Sequence, residues 1–407
     1  MVNCRGCNSQ VSLTLLNLGH SPIANSLLST PINDNQNKNF PLHAMTCENC
    51  SLVQLSESLS REVLFNPDYV YYSSTSTSWL KHSKQYAQKM TRMLTLNHKD
   101  LVLEVASNDG YLLQFFQEKG ISVIGIEPAS GVAQSAIEKG IPTIIDFFGT
   151  SLAWGLSSSQ KPKLIVGNNV LAHVPNLHDF LAGISILISD EGVITFEFPH
   201  LLNLLKNTQF DTIYHEHYSY LSITALIPLL WQHNLKIFDV ERLSSHGGSI
   251  RIFLAKQDSK WKVSQNVQKV LNLEAQFDPR NEKIYKPLQT KVNKIKSDLI
   301  KELNKNKENG MRIAAYGAAA KGTTLLNYCG IKSDTIEYVV DLNPNKQGRF
   351  IPGSLIPIVE PKMLNSERPD ILLVIPWNLS TEIKMQVNAQ IQLGSRLIRA
   401  IPEVEYF

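Results

Sequence analysis

The sequence predicts an α/β chain in three folded parts: a small cysteine-rich N-terminal domain, a central Rossmann-like domain and a C-terminal Rossmann-like α/β domain. Three observations predict it. Two Cys-x-x-Cys pairs, Cys4/Cys7 and Cys47/Cys50, bracket the first segment. From Leu101, an apolar run of strand length, a small polar turn and a helical stretch lead into a second apolar run, the unit of a doubly wound sheet. From Met311 the same alternation begins again. A length of 407 residues fits two or three domains, and a hydrophobic fraction of 43% supplies their cores. The expected division is 1–66, 67–255, a helical connector over 256–310, and 311–407.

A net charge of +3 without a long basic run argues against nucleic acid or an acidic membrane as partner. No apolar stretch reaches membrane-spanning length, and Met1–Gln10 lacks the charged-then-apolar form of a secretory signal, so the expected location is cytoplasmic. The oligomeric state, monomer or homo-oligomer, stays open. In a reducing compartment the two cysteine pairs read as a tetrahedral site for Zn2+, because two intervening residues let both thiolates of a pair meet one ion. Four thiolates leave no open position, so such a zinc is structural. A redox pair and free thiols are the alternatives; a DNA-reading ribbon is poorly supported by the few Lys and Arg residues in the segment. Cys329, alone in an apolar stretch, reads as a packed small hydrophobe.

Pro67 to Trp79 is dense in aromatic and hydroxyl groups, with Tyr69, Tyr71 and Tyr72 among them. It either lines a sugar pocket by stacking and hydrogen bonding or packs as an ordered crossover. Trp79–Met93 then has helical character.

In the central part Leu101–Val105 is a strand, Ser107, Asn108, Asp109 and Gly110 form a turn, Tyr111–Lys119 is helical, and Ile121–Ile126 is a second strand ending on Glu127. An acid at that tip suits the two hydroxyls of a ribose. A dinucleotide site wants G-x-G-x-x-G, of which only Gly110 survives, and Asp109 would repel a pyrophosphate. An acidic turn suits a cationic ligand such as S-adenosyl-L-methionine (SAM). A nicotinamide cofactor and a ligand-free crossover remain the lesser readings. Further on, Ile144–Ile145 ends in Asp146 and Phe147, placed to bind the exocyclic amine of adenine and cover its face. Leu164–Val166 runs into Asn168 and Asn169 and then His173, at a fourth strand tip, and Val193–Phe198 is another buried strand.

The richest polar cluster is Asp211 to Tyr220, with Tyr214, His215, Glu216 and His217 at its centre. If the segment is extended, alternation puts His215 and His217 on one face and Tyr214 and Glu216 on the other; in a turn that pattern need not hold. An acid/base cluster, a satisfied structural network and a metal site are the three readings. Ser222–Asn234 is helical, and two strands, Ile237–Leu243 and Ser249–Leu254, flank His246, a substrate contact or a turn residue. Lys260–Glu308 is mostly helical with a break near Pro279. In the last part a strand ends at Tyr316, a small-residue turn carries Lys321, and a second strand ends at Asp341. Lys321 at a helix N-terminus suits a phosphate, or the turn is purely structural.

These residues together resemble the SAM-dependent C-methyltransferases of nucleotide-linked deoxysugars. The resemblance rests on Cys4-x-x-Cys7 with Leu18–Asn25, Cys47-x-x-Cys50, Ala106–Gly110, Tyr214–His217, His246–Ser249 and Gly317–Gly322, and so spans nearly the whole chain. It implies a zinc-binding domain, a SAM domain and a C-terminal domain that helps hold the nucleotide of a TDP-4-keto-deoxysugar methylated at C3. It further implies His217 as general base, with Tyr214, Glu216 and His173 around the sugar and Tyr71 as the participating upstream tyrosine. Ser107, Asn108, Asp109, Gly110, Glu127, Asp146, Phe147, Asn168 and Asn169 are the expected cofactor contacts. His246, Lys321, Tyr316 and Asp341 are the expected substrate contacts. Thr75 and Thr77 depart from the aromatic and acid found in some members.

Overall fold

A computed structural model of the chain describes residues 2–31, 38–65, 71–158 and 160–407. Pro67, Asp68, Tyr69 and Val70 of the aromatic segment lie outside the described residues.

The first cysteine pair sits in a short hairpin, β1 (Val2–Asn3) with β2 (Gln10–Val11). An antiparallel sheet follows from β3 (Leu13–Ser21), β4 (Phe40–Thr46) and β5 (Val53–Leu55). A bulge between Thr14 and Leu16 resets the alternation of β3, which is why Leu15 and Leu16 are both buried.

The central sheet contains β6 (Leu101–Val105), β7 (Ser122–Ile126), β8 (Thr143–Ile144), β9 (Leu164–Asn168) and β10 (Val193–Pro199), all parallel. Strands β6 and β9 are buried on both faces and read as near-continuous apolar runs, as parallel strands covered by helices must. A two-residue strand, β11 (Ser219–Tyr220), then leaves this sheet to pair with β5 of the N-terminal sheet. Chain returns through β12 (Leu235–Leu243) and β13 (Ser249–Lys256), and β13 inserts antiparallel beside β10. The spatial order is β12-β13-β10-β9-β6-β7-β8. Successive strands depart from β6 in opposite directions, so a topological switch point lies between β6 and β9.

Helices Gln265–Ala275 and Glu282–Glu308 connect to the last part, with the predicted break falling between them. There β14 (Ile313–Tyr316), β15 (Val339–Val340), β16 (Ile358–Val359), β17 (Ile371–Val374) and β18 (Arg396–Arg399) are parallel, and β19 (Glu405–Tyr406) closes the edge antiparallel. Their order, β16-β15-β14-β17-β18-β19, has its own switch point between β14 and β17.

Two local departures from the sequence reading matter for the site. The expected helix Tyr111–Lys119 contracts to Gln114–Gln117, because residues 111–113 form a tight turn after Gly110. Gly110 has φ +77° and a Cβ there would lie 2.9 Å from Ile141, so glycine is required on both counts. The C-terminal helix starts at Ala320, three residues earlier than Thr323, which places Lys321 in its first turn. Gly322 permits this, since a Cβ would stand 2.8 Å from Ile375.

The three parts share their cores. Leu15, Leu16 and Leu42 of the N-terminal sheet pack into one cluster with Leu288 and Val292 of the long helix and Leu325 and Leu326 of the C-terminal domain. Cys4, Cys47 and Leu52 belong instead to the cluster on one face of the central sheet. Among the described residues no helix is long and apolar enough to cross a membrane.

Candidate active site

Ligands of open α/β sheets sit beyond the carboxyl ends of strands at the switch point. Here two switch points open into one cleft of about 630 Å3. The loops after β6 and β9 bring Ala106, Asn108 and Asn169 to it; the loops after β14 and β17 bring Ala319, Lys321 and Asn378. Ala106, Asn108, Asn169 and His246 all have positive φ, a costly conformation that sets backbone at the cleft wall.

On the β6 side, the Asn108 side chain clasps the upstream segment: its Oδ1 accepts from the Ser73 N–H (2.8 Å) and its Nδ2 donates to the Tyr71 carbonyl (3.0 Å). Tyr71 is consequently 43% exposed, with its ring on the cleft. Glu127 is buried and accepts the N–H groups of Asn108 (3.0 Å) and Ala129 (2.9 Å), one on each oxygen. Burial raises its pKa to about 7. Asp146, Phe147, Asn168 and Asn169 complete this wall, and the Oδ1 atoms of both asparagines are buried without a hydrogen-bond partner.

Ser107, Asp109 and Gly110 are not on the cleft. Ser107 faces β7, directly beneath Gly125. The Asp109 carboxylate accepts from Ser74 and Lys139, the latter at 3.1 Å. The acid that was expected to face a cationic ligand is therefore already opposite a lysine.

Residues 214–217 form a turn, closed by the His217 N–H to the Tyr214 carbonyl at 2.9 Å. Of the two conformations considered for this segment, the turn is the one formed, and a turn places residues three apart together. The Tyr214 hydroxyl lies 2.9 Å from His217 Nε2, and His217 Nδ1 lies 2.8 Å from the Thr212 carbonyl. A carbonyl only accepts, so Nδ1 carries the hydrogen and Nε2 holds the lone pair. His173 packs edge-on at 4.7 Å and gives its own Nδ1 hydrogen to the Glu216 carbonyl at 2.6 Å. Glu216 does not line the cleft; its Oε1 accepts from the backbone and side chain of Asn25, both at 3.0 Å. His215 reaches Pro41.

Burial lowers the pKa of His173 and His246 to about 4 and that of His217 well below the ordinary imidazole value, where the neighbouring His173 adds to it. These three imidazoles are neutral at pH 7.

Of the expected substrate contacts, Lys321 and His246 line the cleft, whereas Tyr316 and Asp341 do not. The Tyr316 hydroxyl donates to Gln386 at 2.7 Å on the far face of the sheet. Asp341 holds the turn itself, accepting from the Ala318 and Asn343 N–H groups at 2.8 Å each.

Several cleft residues escaped the sequence reading. Trp79 and Tyr111 stack at 5.9 Å along the wall, and Arg61 lies over the Phe147 ring at 4.3 Å. Glu197 and Arg251 form a buried ion pair behind His246. Burial alone would raise Glu197, yet His82 and Arg251 hold it down to about 2. Its other oxygen accepts from Ser245 at 2.7 Å and so fixes the His246 loop. The available signal was a charged residue inside each of two apolar strands.

In the N-terminal domain the four cysteine sulfurs lie within 4.8 Å of one another, with Cys4–Cys50 and Cys7–Cys47 at 3.5 Å. Four sulfurs at the Zn–S distance of a tetrahedral site stand about 3.8 Å apart, so the arrangement fits zinc with little adjustment.

Fold and site together define a SAM-dependent methyltransferase carrying a zinc-binding domain. Residues 78–240 match the profile of a methyltransferase domain, 4–65 that of a zinc binding domain and 244–402 that of a C-methyltransferase C-terminal domain. Over 401 residues, 98% of this chain and 95% of the other, it is 32% identical to the C-methyltransferase NovU of Streptomyces niveus. The chain belongs to this C-methyltransferase family. Similar solved structures include a SAM-dependent methyltransferase from Clostridium acetobutylicum (13% identity, 43% of this chain and 91% of that one, TM-score 0.34). Another is the magnesium protoporphyrin IX methyltransferase of Synechocystis with bound SAM (11%, 49% and 98%, TM-score 0.35).

Two measurements check this description. Protein purified without chelator is expected to hold about one zinc per chain, and Cys47→Ser to lose it together with thermal stability; metal-free wild-type protein of full stability contradicts the site. In imidazole NMR, His173, His217 and His246 are expected to keep the neutral pattern between about pH 8 and 6, where an ordinary histidine titrates.

Proposed function

We propose that this enzyme transfers the methyl group of SAM to C3 of a nucleotide-linked 4-keto-deoxysugar, of the TDP class, through an enolate formed by His217. The observation that carries the reading is the His217 imidazole: neutral, oriented by the Thr212 carbonyl and lining the cleft, with Nε2 accepting from the Tyr214 hydroxyl, which has to turn from it as the substrate proton is taken. The resemblance to sugar C-methyltransferases and the meeting of two nucleotide-type crevices support the substrate class.

The SAM half falls to the β6 side. Glu127 retains a free lone pair on each oxygen for the ribose hydroxyls, and Asp146 with Phe147 meets adenine. The open Oδ1 acceptors of Asn168 and Asn169 suit the ammonium of the methionyl group, and buried acceptors without partners call for such an explanation. Tyr71, Trp79 and Tyr111 offer aromatic faces to the sulfonium, the part first assigned to Asp109. When bound, SAM supplies an electrophilic methyl group for a carbon nucleophile.

The chain's residues generate that nucleophile. A ketone acidifies the adjacent C–H; His217 Nε2 takes the proton, while Nδ1–H on Thr212 stabilises the imidazolium that results. The phenol of Tyr214 aligns the ring, and His173, held by the Glu216 carbonyl, braces it. Burial keeps water from the carbanion and keeps the base unprotonated at the working pH.

Incubation with labelled SAM and TDP-, UDP-, GDP- and CDP-linked 4-keto-6-deoxyhexoses tests the substrate, and product NMR must place the methyl on carbon; a methyl on oxygen overturns the reading. Glu127→Ala is expected to weaken SAM binding about tenfold or more in calorimetry, as loss of a buried hydrogen-bonded carboxylate implies. His217→Asn should keep SAM and nucleotide affinity while turnover falls roughly 10²–10⁴-fold. Normal turnover in that variant removes His217 as the base.

A further inference from the structure

Lys321 is the cation of this cleft whose surroundings ask for an anion. Its ammonium donates to the neutral Asn378 Oδ1 at 2.7 Å and lies over the Trp377 ring at 4.4 Å. An ammonium has three donors, and neither of these partners is charged. Burial lowers its pKa, an effect that Asp211 offsets in part. Asp211 Oδ2 accepts from Trp377 Nε1 at 2.7 Å, its Oδ1 is buried without a hydrogen-bond partner, and neither oxygen is bonded to the Lys321 ammonium. Lys346, by contrast, is occupied by the Ala318 carbonyl at 2.7 Å, and Arg61 stands over Phe147 on the cofactor side.

The position of Lys321 relative to the base is fixed by buried hydroxyls. Three residues on in the same helix, Thr324 Oγ1 donates to the Ile213 carbonyl at 2.8 Å, next to Tyr214; Thr323 Oγ1 donates to Ala24 at 3.0 Å, next to the Asn25 that holds Glu216. The lysine charge disfavours protonation of both His217 and His246, so it lies within electrostatic reach of the base. In the turn before it the Gly317 N–H is given to Val340 and the Ala318 N–H to Asp341, while Ala319 and Ala320 line the cleft at the helix N-terminus.

We infer that Lys321 is a catalytic residue whose ammonium receives the negative charge developing on the ketone oxygen as His217 removes the neighbouring proton. This rests on the ketosugar reading above. In the step, the C–H pair becomes the C=C bond of the enolate, the carbonyl π pair moves to oxygen beside Lys321, and the proton goes to His217 Nε2. The oxygen is two bonds from the carbon that loses the proton, so the inference requires base and cation on one cleft, and both His217 and Lys321 line it. A preorganised donor in a water-poor site acts on the transition state more than on the bound ketone.

The test separates this step from methylation and from nucleotide binding. With S-adenosylhomocysteine in place of SAM, wild type is incubated in deuterium oxide with the four nucleotide-linked 4-keto-6-deoxyhexoses, and exchange at the carbon next to the ketone is followed. Lys321→Met is expected to slow exchange about 10²–10³-fold, the loss typical of one oxyanion donor, with TDP and S-adenosylhomocysteine affinities within about threefold of wild type. Lys321→Arg, which keeps the charge, should retain exchange to within about tenfold. Wild-type exchange in Lys321→Met overturns the inference. So does a large loss of TDP affinity with exchange restored at saturating ketosugar, which would make Lys321 a phosphate anchor. Should Lys321→Met fail to bind S-adenosylhomocysteine, the arginine variant decides: failure of exchange there, with binding intact, overturns the inference. No exchange by wild type with any of the four sugars overturns the ketosugar reading and this inference with it.

Discussion

The cleft exists because the helix Ala320–Cys329 is pinned to the turn that carries the base. Two threonine hydroxyls, both buried, donate to carbonyls of other parts of the chain: Thr324 to Ile213 and Thr323 to Ala24. Each bond is worth about 1 kcal/mol net, but a buried carbonyl left unpaired costs more, so the registry is defended from both sides. The third tie is Trp377 to Asp211. These contacts join the crevices of the two sheets, and the shared cleft is lined by Glu127 from one side, Lys321 from the other and His217 from the turn between them.

That enclosure sets the electrostatics. Burial keeps His173, His217 and His246 neutral, which readies a base but weakens its pull on a proton. A base of lowered pKa needs an acidified carbon, and the acidity has to come from stabilising the oxyanion. In the proposed step that stabilisation comes from Lys321, whose two direct partners are neutral. The buried Glu197–Arg251 pair adds no net charge, and the second Glu197 oxygen, accepting from Ser245, holds the His246 loop.

Periodicity and strand tips were legible in the sequence because they depend on neighbours in the chain. Strand β6 has the bounds read from its apolar run, and the cysteine pairs meet as their spacing demands. Side-chain direction was not legible. Asp109, Asp341 and Glu216 are acids at turns or strand tips, but each faces a protein partner instead of the cleft: Lys139, the turn N–H groups and Asn25. An acid at a loop serves a ligand or the loop's own amides, and only the three-dimensional partner decides. Tyr214 and His217 come together because their segment turns, a choice made by packing that no period of two or 3.6 reveals. Glu197 and Arg251 are 54 residues apart, and nothing local links them.

The zinc site acquires a catalytic bearing through the same logic. A segment of some sixty residues rarely builds a sufficient core, and this one has handed its leucines to a cluster shared with the C-terminal domain. Its cysteine knuckles pack instead against the central domain, so the module is held between the two bodies whose crevices face each other. Arg5, within the first knuckle, donates to the Tyr218 carbonyl at 2.9 Å, and Tyr218 directly follows His217. The N–H of Leu55 meets the same carbonyl at 3.0 Å. A metal that fixes Cys4 and Cys7 therefore fixes Arg5, and Arg5 fixes the downstream end of the base's turn. Closed coordination is what this task requires: four thiolates give rigidity without an exchangeable position, and the chemistry stays at the cleft.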